Sequence, residues 1–221
     1  LFFLIIKFQP MKKLLLGFLF SFFIHFSSAQ TDKPTDYLSS RFHKERREAL
    51  RKLMPKNTVA VFFGNPERNR SNDVDYIYHQ DPNFYYLTGY KEPNCVLVLF
   101  SEEQKNKDGK LINEILYVQE KDPKAEQWTG ARLGVDGAKS DLGLENVYNG
   151  KDFLKSGINF QNFDTVFFTD FQNDIRDSKR DEASLFKLVA SFKDQIGYNL
   201  KRTEKNEKKK KKEVDGVKQI N

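Results

Sequence analysis

The 221-residue sequence contains a single cysteine, Cys95, and therefore cannot form a disulfide within the chain. It has no C-x-x-C pair and no second thiol to resolve an oxidised sulfur, which excludes thiol redox chemistry. Histidine is also scarce: His25, His43 and His79 lie far apart, and none has a partner at a metal-ligand spacing such as H-x-x-x-H. We predict that Cys95 is a small buried residue and that His43 and His79 are solvated or capping residues.

Other common functional signals are missing as well. The sequence has no glycine-rich phosphate loop and no internal repeat, and Ser71 has no histidine arrangement that would make it a nucleophile. The net charge of +6 comes largely from a lysine-dense stretch over residues 201–212. Because no interleaved aromatic and basic residues of the kind that stack on bases occur beside it, we expect no nucleic-acid partner.

An acidic cluster is formed by Asp73, Asp75 and Asp81. Oxygen ligands suit manganese, but the spacing lacks the central glycine and terminal glutamate of a calcium loop. With Arg68 and Arg70 nearby, the cluster is predicted to form ion pairs and turn caps. We therefore predict no metal site in this chain.

The amino-terminal region has the pattern of an export signal. Met11 and two lysines precede an apolar stretch over residues 14–26, and small residues at 27–29 form a cleavage site. We predict a signal peptide over residues 11–29 and a periplasmic or extracellular protein. The alternative is an uncleaved anchor, but the apolar run is shorter than the roughly 20 residues that a spanning helix needs. No stable membrane insertion is expected after cleavage.

The remaining chain predicts an α/β fold, a mixed β-sheet with helices packed on it. The first helix is expected to be capped by Asp36, with its buried face formed by Leu38, Phe42, Ala49 and Leu53. Strands are predicted at residues 58–63, 95–100, 112–118 and 164–169, and further helices within residues 120–130, 151–156 and 181–192. Residues 67–75 are predicted to be a long ordered loop, residues 132–134 a turn, and residues 201–221 a charged linker or tail.

The most informative block is NFYYLTGYKEPNCVLVLF, from Asn83 to Phe100. Its four large rings are predicted to anchor a loop, with Gly89 at a positive-φ turn. The residues from Cys95 onward are apolar without alternation, which is typical of a strand covered on both faces.

Three stretches resemble the amino-terminal domain of aminopeptidase P, in the creatinase and prolidase family. They are RREALRKLMPKNTVAVFFG from Arg46, RSNDVDYIYHQDPNFYYLTGYKEPNCVLVLF from Arg70, and AEQWTGARLG from Ala125. The resemblance spans roughly Tyr37 to Leu200 and implies a creatinase/aminopeptidase P amino-terminal domain over residues 36–200. It also implies that a carboxy-terminal metallopeptidase domain would follow the linker, and we expect that domain to be absent from this chain.

The resemblance implies the function of an exported Xaa-Pro aminopeptidase, which releases an amino-terminal residue preceding proline. In that family two manganese ions are held by Asp, His and Glu residues of the carboxy-terminal domain. The amino-terminal domain supplies oligomer contacts and part of the pocket rim, and Trp128 matches a tryptophan that borders the substrate pocket.

We therefore expect no catalytic and no metal-binding residue in this chain, no activity of the chain alone, and a homo-oligomer acting on peptides with proline at the second position. The alternative is a complete, non-catalytic binding or assembly module that pairs through Trp128 and the NFYYLTG stretch.

Overall fold

The computed structural model describes residues 38–106, 108–169, 171, 175, 182–198 and the backbone of 217–220. The predicted signal peptide over residues 11–29 and the lysine-dense stretch lie outside the described residues. No described helix is both long enough and apolar enough to cross a membrane. In chain order the elements are α1 (Ser40–Leu53), β1 (Thr58–Phe63), β2 (Asn69–Ser71), β3 (Val74–Asp75), α2 (Pro82–Thr88), β4 (Val96–Lys105), β5 (Leu111–Val118), α3 (Pro123–Thr129), α4 (Gly134–Leu142), β6 (Val147–Asn149), α5 (Gly150–Phe153), a 3-10 turn (Phe160–Asn162), β7 (Thr165–Thr169), α6 (Leu185–Gln195) and β8 (Val217–Ile220).

The described strands form a six-stranded sheet in the order β6-β5-β4-β1-β7-β8, beside a two-stranded β2-β3 hairpin. β4 pairs antiparallel with both β1 and β5, whereas the β1–β7, β7–β8 and β5–β6 pairs are parallel. The prediction of a mixed α/β sheet is confirmed. Because β4 alone runs in the opposite direction, its start lies at the same edge as the carboxyl ends of β1, β5, β6 and β7.

The sheet is buried on both faces, as predicted for the strand beginning near Cys95. Alternate residues of β4 divide between two apolar clusters, with Val96 and Val98 in one and Leu97 and Leu99 in the other. The first cluster also contains the buried stripe of α6, which is formed by Leu185, Leu188, Val189 and Phe192. Each fully buried side chain of this size contributes about 1.5 to 3 kcal/mol of transfer free energy, so the two clusters hold the helices on the sheet.

The pairing between β4 and β5 is interrupted. Residues 96–99 pair regularly with 114–117, and the register then shifts before Gln104 pairs with Ile112. A shift of this kind is a bulge, which bends a strand and increases its local twist. The residues between Leu99 and Glu114, at the turn end of the hairpin, therefore pair in a different register from residues 96–99 and 114–117.

The predicted buried face of α1 is wrong. Leu53 is 82% exposed and Leu38 is 45% exposed, whereas the buried residues of the helix are His43 and Arg47. The helix is capped by Ser39, whose hydroxyl accepts a hydrogen bond from the Phe42 amide, and the predicted cap Asp36 lies outside the described residues. The spacing of apolar residues identified the helix. It did not identify the buried residues His43 and Arg47, because their hydrogen-bond partners lie in other elements.

Four further local predictions differ from the structure. Residues 69–75 form the β2-β3 hairpin within the predicted loop, and residues 82–88 form α2 where an aromatic loop anchor was predicted. Helix α4 begins at the end of the predicted 132–134 turn, at Gly134. Residues 217–220, which lie within the predicted linker or tail, pair with β7 as an edge strand. Gly89 ends α2 with φ of 74°, which confirms the positive-φ turn.

Candidate functional site

A cavity of about 1010 Å³ lies at the carboxyl edge of the sheet. Its walls come from residues that follow β5 and β6, such as Glu120 and Lys151, and from residues that precede β4, such as Glu92. In open α/β sheets, ligands usually bind just beyond the carboxyl ends of parallel strands. The topology therefore places this cavity where a binding site is expected.

Trp128, the only tryptophan of the chain, lines this cavity and is 90% exposed. It lies on α3, which starts with a proline in the first turn and is capped by Asp122. The Asp122 carboxylate accepts hydrogen bonds from the amides of Lys124 and Ala125, and these bonds lower the pKa of Asp122. Since its helix is anchored, the exposed indole presents a large flat apolar surface to the cavity.

Glu126 closes the start of the same helix from the other direction. Its Oε1 accepts a hydrogen bond of 2.9 Å from the backbone N–H of the cap residue Asp122. Glu126 therefore supports the start of the helix that carries Trp128. The helix ends at Gly130, where φ is 85°.

The segment that carries Trp128, residues 121–133, is tied back to the sheet where it ends. Nη1 of Arg132 donates a 2.9 Å hydrogen bond to the carbonyl oxygen of Glu120, two residues after β5. The amide of Leu133 donates a 2.6 Å hydrogen bond to Oε1 of Glu92. We call this stretch the Trp128 segment. Its two ends thus lie close together, as in a compact surface loop.

Glu92 is in turn held by a buried tyrosine. Its Oε2 accepts a 2.8 Å hydrogen bond from the hydroxyl of Tyr90, which is 1% exposed. Burial raises the pKa of Tyr90 well above its usual range, and the charge of Glu92 raises it further. Tyr90 therefore remains a neutral hydrogen-bond donor to Glu92.

A surface ion pair completes the described wall. Nζ of Lys151 lies 2.7 Å from Oε2 of Glu120, and this hydrogen bond raises the pKa of Lys151. Both side chains are about half exposed, so solvent screens the pair. The Lys151–Glu120 pair therefore neutralises charge at the cavity but adds little to the stability of the fold.

Of the residues that the sequence singled out, Trp128 lines the cavity, whereas His43 and His79 do not. His43 is 2% exposed, which contradicts the solvated or capping role predicted for it. Its Nδ1 lies 2.9 Å from the carbonyl oxygen of Tyr86, and burial lowers its pKa. The neutral ring is packed against α2, where a Cβ on Gly89 would lie 2.8 Å from Nε2. His43 is therefore a core residue.

The acidic cluster supplies caps, as predicted in part. Asp81 caps α2 by accepting a 2.9 Å hydrogen bond from the Phe84 amide, and Asp75 accepts one of 3.2 Å from Nδ2 of Asn69. The ion pairs predicted with Arg68 and Arg70 stay predictions. Within the part of the chain that the structure describes, no three His, Cys, Asp or Glu residues come together as a metal site. The described residues do not fit the two-manganese donor set.

Cys95 has 0% exposure, which confirms the prediction of a buried residue. Burial raises the pKa of its thiol above the usual range, and Nε2 of Gln80 lies 3.4 Å from the sulfur. The thiol therefore stays protonated and is inert toward solvent.

Sequence reasoning missed Glu92 and Arg132 as parts of the site. Both lie inside quoted family-like stretches, KEPN and ARLG. Glu92 lies two residues after Tyr90 and Arg132 lies four residues after Trp128, and this closeness in sequence could have drawn attention to both. Their partners are 41 and 12 residues away, however, and only the fold brings these together.

Comparison with known proteins identifies relatives of this chain. The family profile described as "Aminopeptidase P, N-terminal domain" matches residues 43–162. A Xaa-Pro aminopeptidase of Haemophilus influenzae is 36% identical over 110 residues, which cover 50% of this chain and 24% of that protein. Intermediate cleaving peptidase 55 of Schizosaccharomyces pombe is 38% identical over 120 residues, or 54% of this chain and 24% of that protein.

Solved structures give the same result. Aminopeptidase PepP of Pseudomonas aeruginosa matches with a TM-score of 0.57 and 26% identity, over 72% of this chain and 32% of that one. Escherichia coli aminopeptidase P with the inhibitor Pro-Leu matches with a TM-score of 0.55 and 29% identity, over 71% of this chain and 33% of that one. The matched part spans about a quarter of the curated relatives and a third of the solved chains.

Proposed function

Since the chain belongs to the aminopeptidase P amino-terminal domain family, we propose that it forms the pocket rim and the oligomer contacts of an exported Xaa-Pro aminopeptidase. The substrate class is a peptide with proline at its second position. The assembly is a homo-oligomer, and the protein is periplasmic or extracellular after cleavage of residues 11–29. The chain by itself is proposed to be inactive.

The names of the relatives support the substrate class. Several are Xaa-Pro aminopeptidases, and one solved relative holds the dipeptide inhibitor Pro-Leu. The observation that carries the proposal is Trp128, a 90% exposed indole held by a capped helix at the cavity. Flat aromatic faces are the surfaces on which proline rings pack in known proline-recognition grooves.

Manganese belongs to the proposal as the cofactor of the whole enzyme. When bound, such a metal pair polarises the scissile carbonyl and supplies hydroxide as nucleophile. The described residues of this chain bring no suitable ligand set together, so we assign them no step of the hydrolysis. Their proposed work is to shape the pocket and to orient the peptide.

A fluorescence titration tests the proposal, because the emission of the chain's only tryptophan reports on Trp128 alone. We expect Ala-Pro-Ala to shift the emission and to protect it from acrylamide, and Ala-Ala-Ala to do so more weakly. Trp128→Phe is expected to keep peptide affinity, measured by calorimetry, and Trp128→Ala to lose it. Equal binding of the two peptides, or unchanged affinity in Trp128→Ala, would contradict the pocket-rim role.

A second assay addresses catalysis. The chain is incubated with Ala-Pro-Ala and manganese, and release of alanine is measured beside Escherichia coli aminopeptidase P as a positive control. We expect no turnover by the chain. Sustained release that depends on the amount of chain would overturn the proposed inactivity.

A second candidate function is a non-catalytic binding or assembly module. Ile77, which is 83% exposed, and Trp128 favour it, because large apolar side chains at such exposure are frequent anchors of interfaces. Analytical ultracentrifugation measures whether the chain self-associates, and self-association would support this candidate. A monomer that binds no proline peptide would count against both candidates.

A further inference from the structure

The Trp128 segment contains no buried residue on its helix, so its position depends on how its ends are tied. We propose that Glu92 is the positioning residue of this segment and sets the direction in which the indole of Trp128 faces the cavity. The consequence for peptide binding rests on the proposed function, whereas the effect on Trp128 itself does not.

Both oxygens of Glu92 are committed to this task. Oε1 accepts the 2.6 Å hydrogen bond from the Leu133 amide, and Oε2 accepts the 2.8 Å bond from Tyr90. Hydrogen bonds to an ionised acceptor are shorter and about twice as strong as neutral ones. Glu92 therefore joins the end of the Trp128 segment to a buried ring that cannot move with the surface.

The anchor behind Glu92 reaches the sheet. Tyr90 is packed in the apolar cluster that contains Leu97 and Leu116, and its hydroxyl oxygen lies 3.4 Å from the amide of Gln119. Gln119 is the first residue after β5. The Tyr90 hydroxyl thus connects the residue that follows β5 with the carboxylate that holds the end of the Trp128 segment.

Glu92 also satisfies the start of the following helix. Helix α4 begins at Gly134, and its cap residue Leu133 has no side-chain capping bond. The Glu92 carboxylate supplies a negative charge there, where the partial positive charge of the helix dipole favours it. One acid therefore both closes the Trp128 segment and begins the next helix.

Two neighbouring contacts also restrict the movement of the Trp128 segment, but neither connects it to Tyr90 as Glu92 does. Arg132 binds the Glu120 carbonyl through Nη1, while its Nε is buried with no hydrogen-bond partner among the described residues. Gly134, at φ of 64°, lies so close to Lys121 that a Cβ there would be 2.7 Å from Cγ. These contacts bring the ends together. Glu92 is the polar link from the segment to buried Tyr90, and the Leu133 side chain packs beside it against the same apolar cluster.

The test compares Glu92→Ala, Glu92→Gln and the control Glu182→Ala. Glu182 is an exposed acid that lines the same cavity, so its removal changes the same charge without touching the Trp128 segment. The readouts are the fluorescence anisotropy of Trp128 and hydrogen exchange at the Leu133 amide, with the amides of Val61 and Leu97 as core references.

In Glu92→Ala we expect lower anisotropy and exchange at Leu133 that is about tenfold faster, the value of one charge-assisted hydrogen bond. Glu92→Gln keeps a carbonyl acceptor and is expected to restore most of the protection. Glu182→Ala is expected to match the parent chain. Tyr90→Phe, which removes one of the two bonds, gives an intermediate result.

Unchanged exchange at Leu133 in Glu92→Ala would overturn the proposal. So would an equal acceleration at Val61 and Leu97, because the acid would then act on global stability alone. An Ala-Pro-Ala titration of the same variants separates this inference from the proposed function. If no variant prefers the proline peptide but Glu92→Ala still loosens Trp128, the pocket-rim role fails and the positioning role stands.

Discussion

Arg47 and Glu114 form a buried ion pair that joins α1 to β5. Nε of Arg47 lies 2.9 Å from Oε2 of Glu114, and Nη2 lies 3.1 Å from Oε1. Nη1 of Arg47 donates to the carbonyl of Leu87 at 2.8 Å, and Arg51 binds the same glutamate at 2.7 Å. Arg47 is 0% exposed, so a helix that looks polar in sequence is attached to the core through a cation.

Replacing Arg47 is expected to destabilise the fold strongly. Arg47→Met leaves Glu114 partly buried with one fewer cationic partner and removes the donor to Leu87, which costs about 3 to 5 kcal/mol. Urea unfolding followed by circular dichroism measures the change. The control is Arg41→Met, because the Arg41–Glu45 pair on the same helix is exposed and its loss is expected to have little effect. Equal effects of the two changes would contradict the structural role of Arg47.

The stability of the domain is expected to decrease on acidification. Burial alone would raise the pKa of Glu114, but the hydrogen bonds and charges of Arg47 and Arg51 outweigh it and lower the pKa below its ordinary 4.5. Burial lowers the pKa of His43 below 6.5. In both cases the unfolded chain binds the proton first, so stability is lost as the pH falls through 6.5 and then through 4.5.

Thermal unfolding between pH 8 and pH 3 measures this dependence. The expected melting temperature is level above the ordinary pKa of histidine and falls in two steps below it. Glu114→Gln is expected to reduce the lower step and leave the upper one. A melting temperature that rises as the pH drops from 6.5 toward 4.5 would contradict the sign given for His43, and one that rises below 4.5 would contradict the sign given for Glu114.

Gly89 and Gly109 form a matched pair for a test of crowding. Their φ values are 74° and 76°, so an alanine at either is strained by about 1 to 2 kcal/mol. A Cβ on Gly89 would also lie 2.8 Å from Nε2 of His43, whereas nothing lies within 4 Å at Gly109. Gly89→Ala is therefore expected to cost about 1 to 3 kcal/mol more than Gly109→Ala in urea unfolding. Equal costs would show that the His43 ring moves aside freely.

Cys95 is expected to react with a thiol reagent only when the domain opens. Its side chain has no exposure, and burial raises the pKa of its thiol, so the reactive thiolate is absent in the folded state. Labelling in native buffer should follow the rate of opening and accelerate in urea. Rapid stoichiometric labelling of the folded chain would contradict the buried position of this residue.

The sheet was predictable because its central strands carry unusually plain patterns. Residues 58–63 are rich in β-branched and aromatic side chains, and residues 95–100 are apolar without alternation; both patterns identify strands whatever their neighbours are. The stripe of α6 was visible at helical spacing for the same reason. Trp128 was found through its resemblance to a family motif, not through any local pattern.

The failures have a common physical cause. His43 and Arg47 are polar residues whose burial depends on Tyr86 and Glu114, which lie 43 and 67 residues away. Glu92 likewise acquires its role only when Leu133 is brought beside it. The local sequence shows that burying such polar groups is unfavourable, but it does not show which distant residue provides the compensating hydrogen bond. The short strand at residues 217–220 was missed because its place in the sheet depends on β7.

The break in pairing between β4 and β5 has a practical consequence for engineering the protein. The turn around Gly109 lies at the end of the sheet opposite the cavity, and the shifted register separates it from the inner pairs formed by residues 96–99 and 114–117. Loops of this kind accept inserted sequence readily. An epitope or a fluorescent label placed at this tip would leave Trp128 as an undisturbed optical reporter, and would allow immobilisation with the cavity facing away from the support.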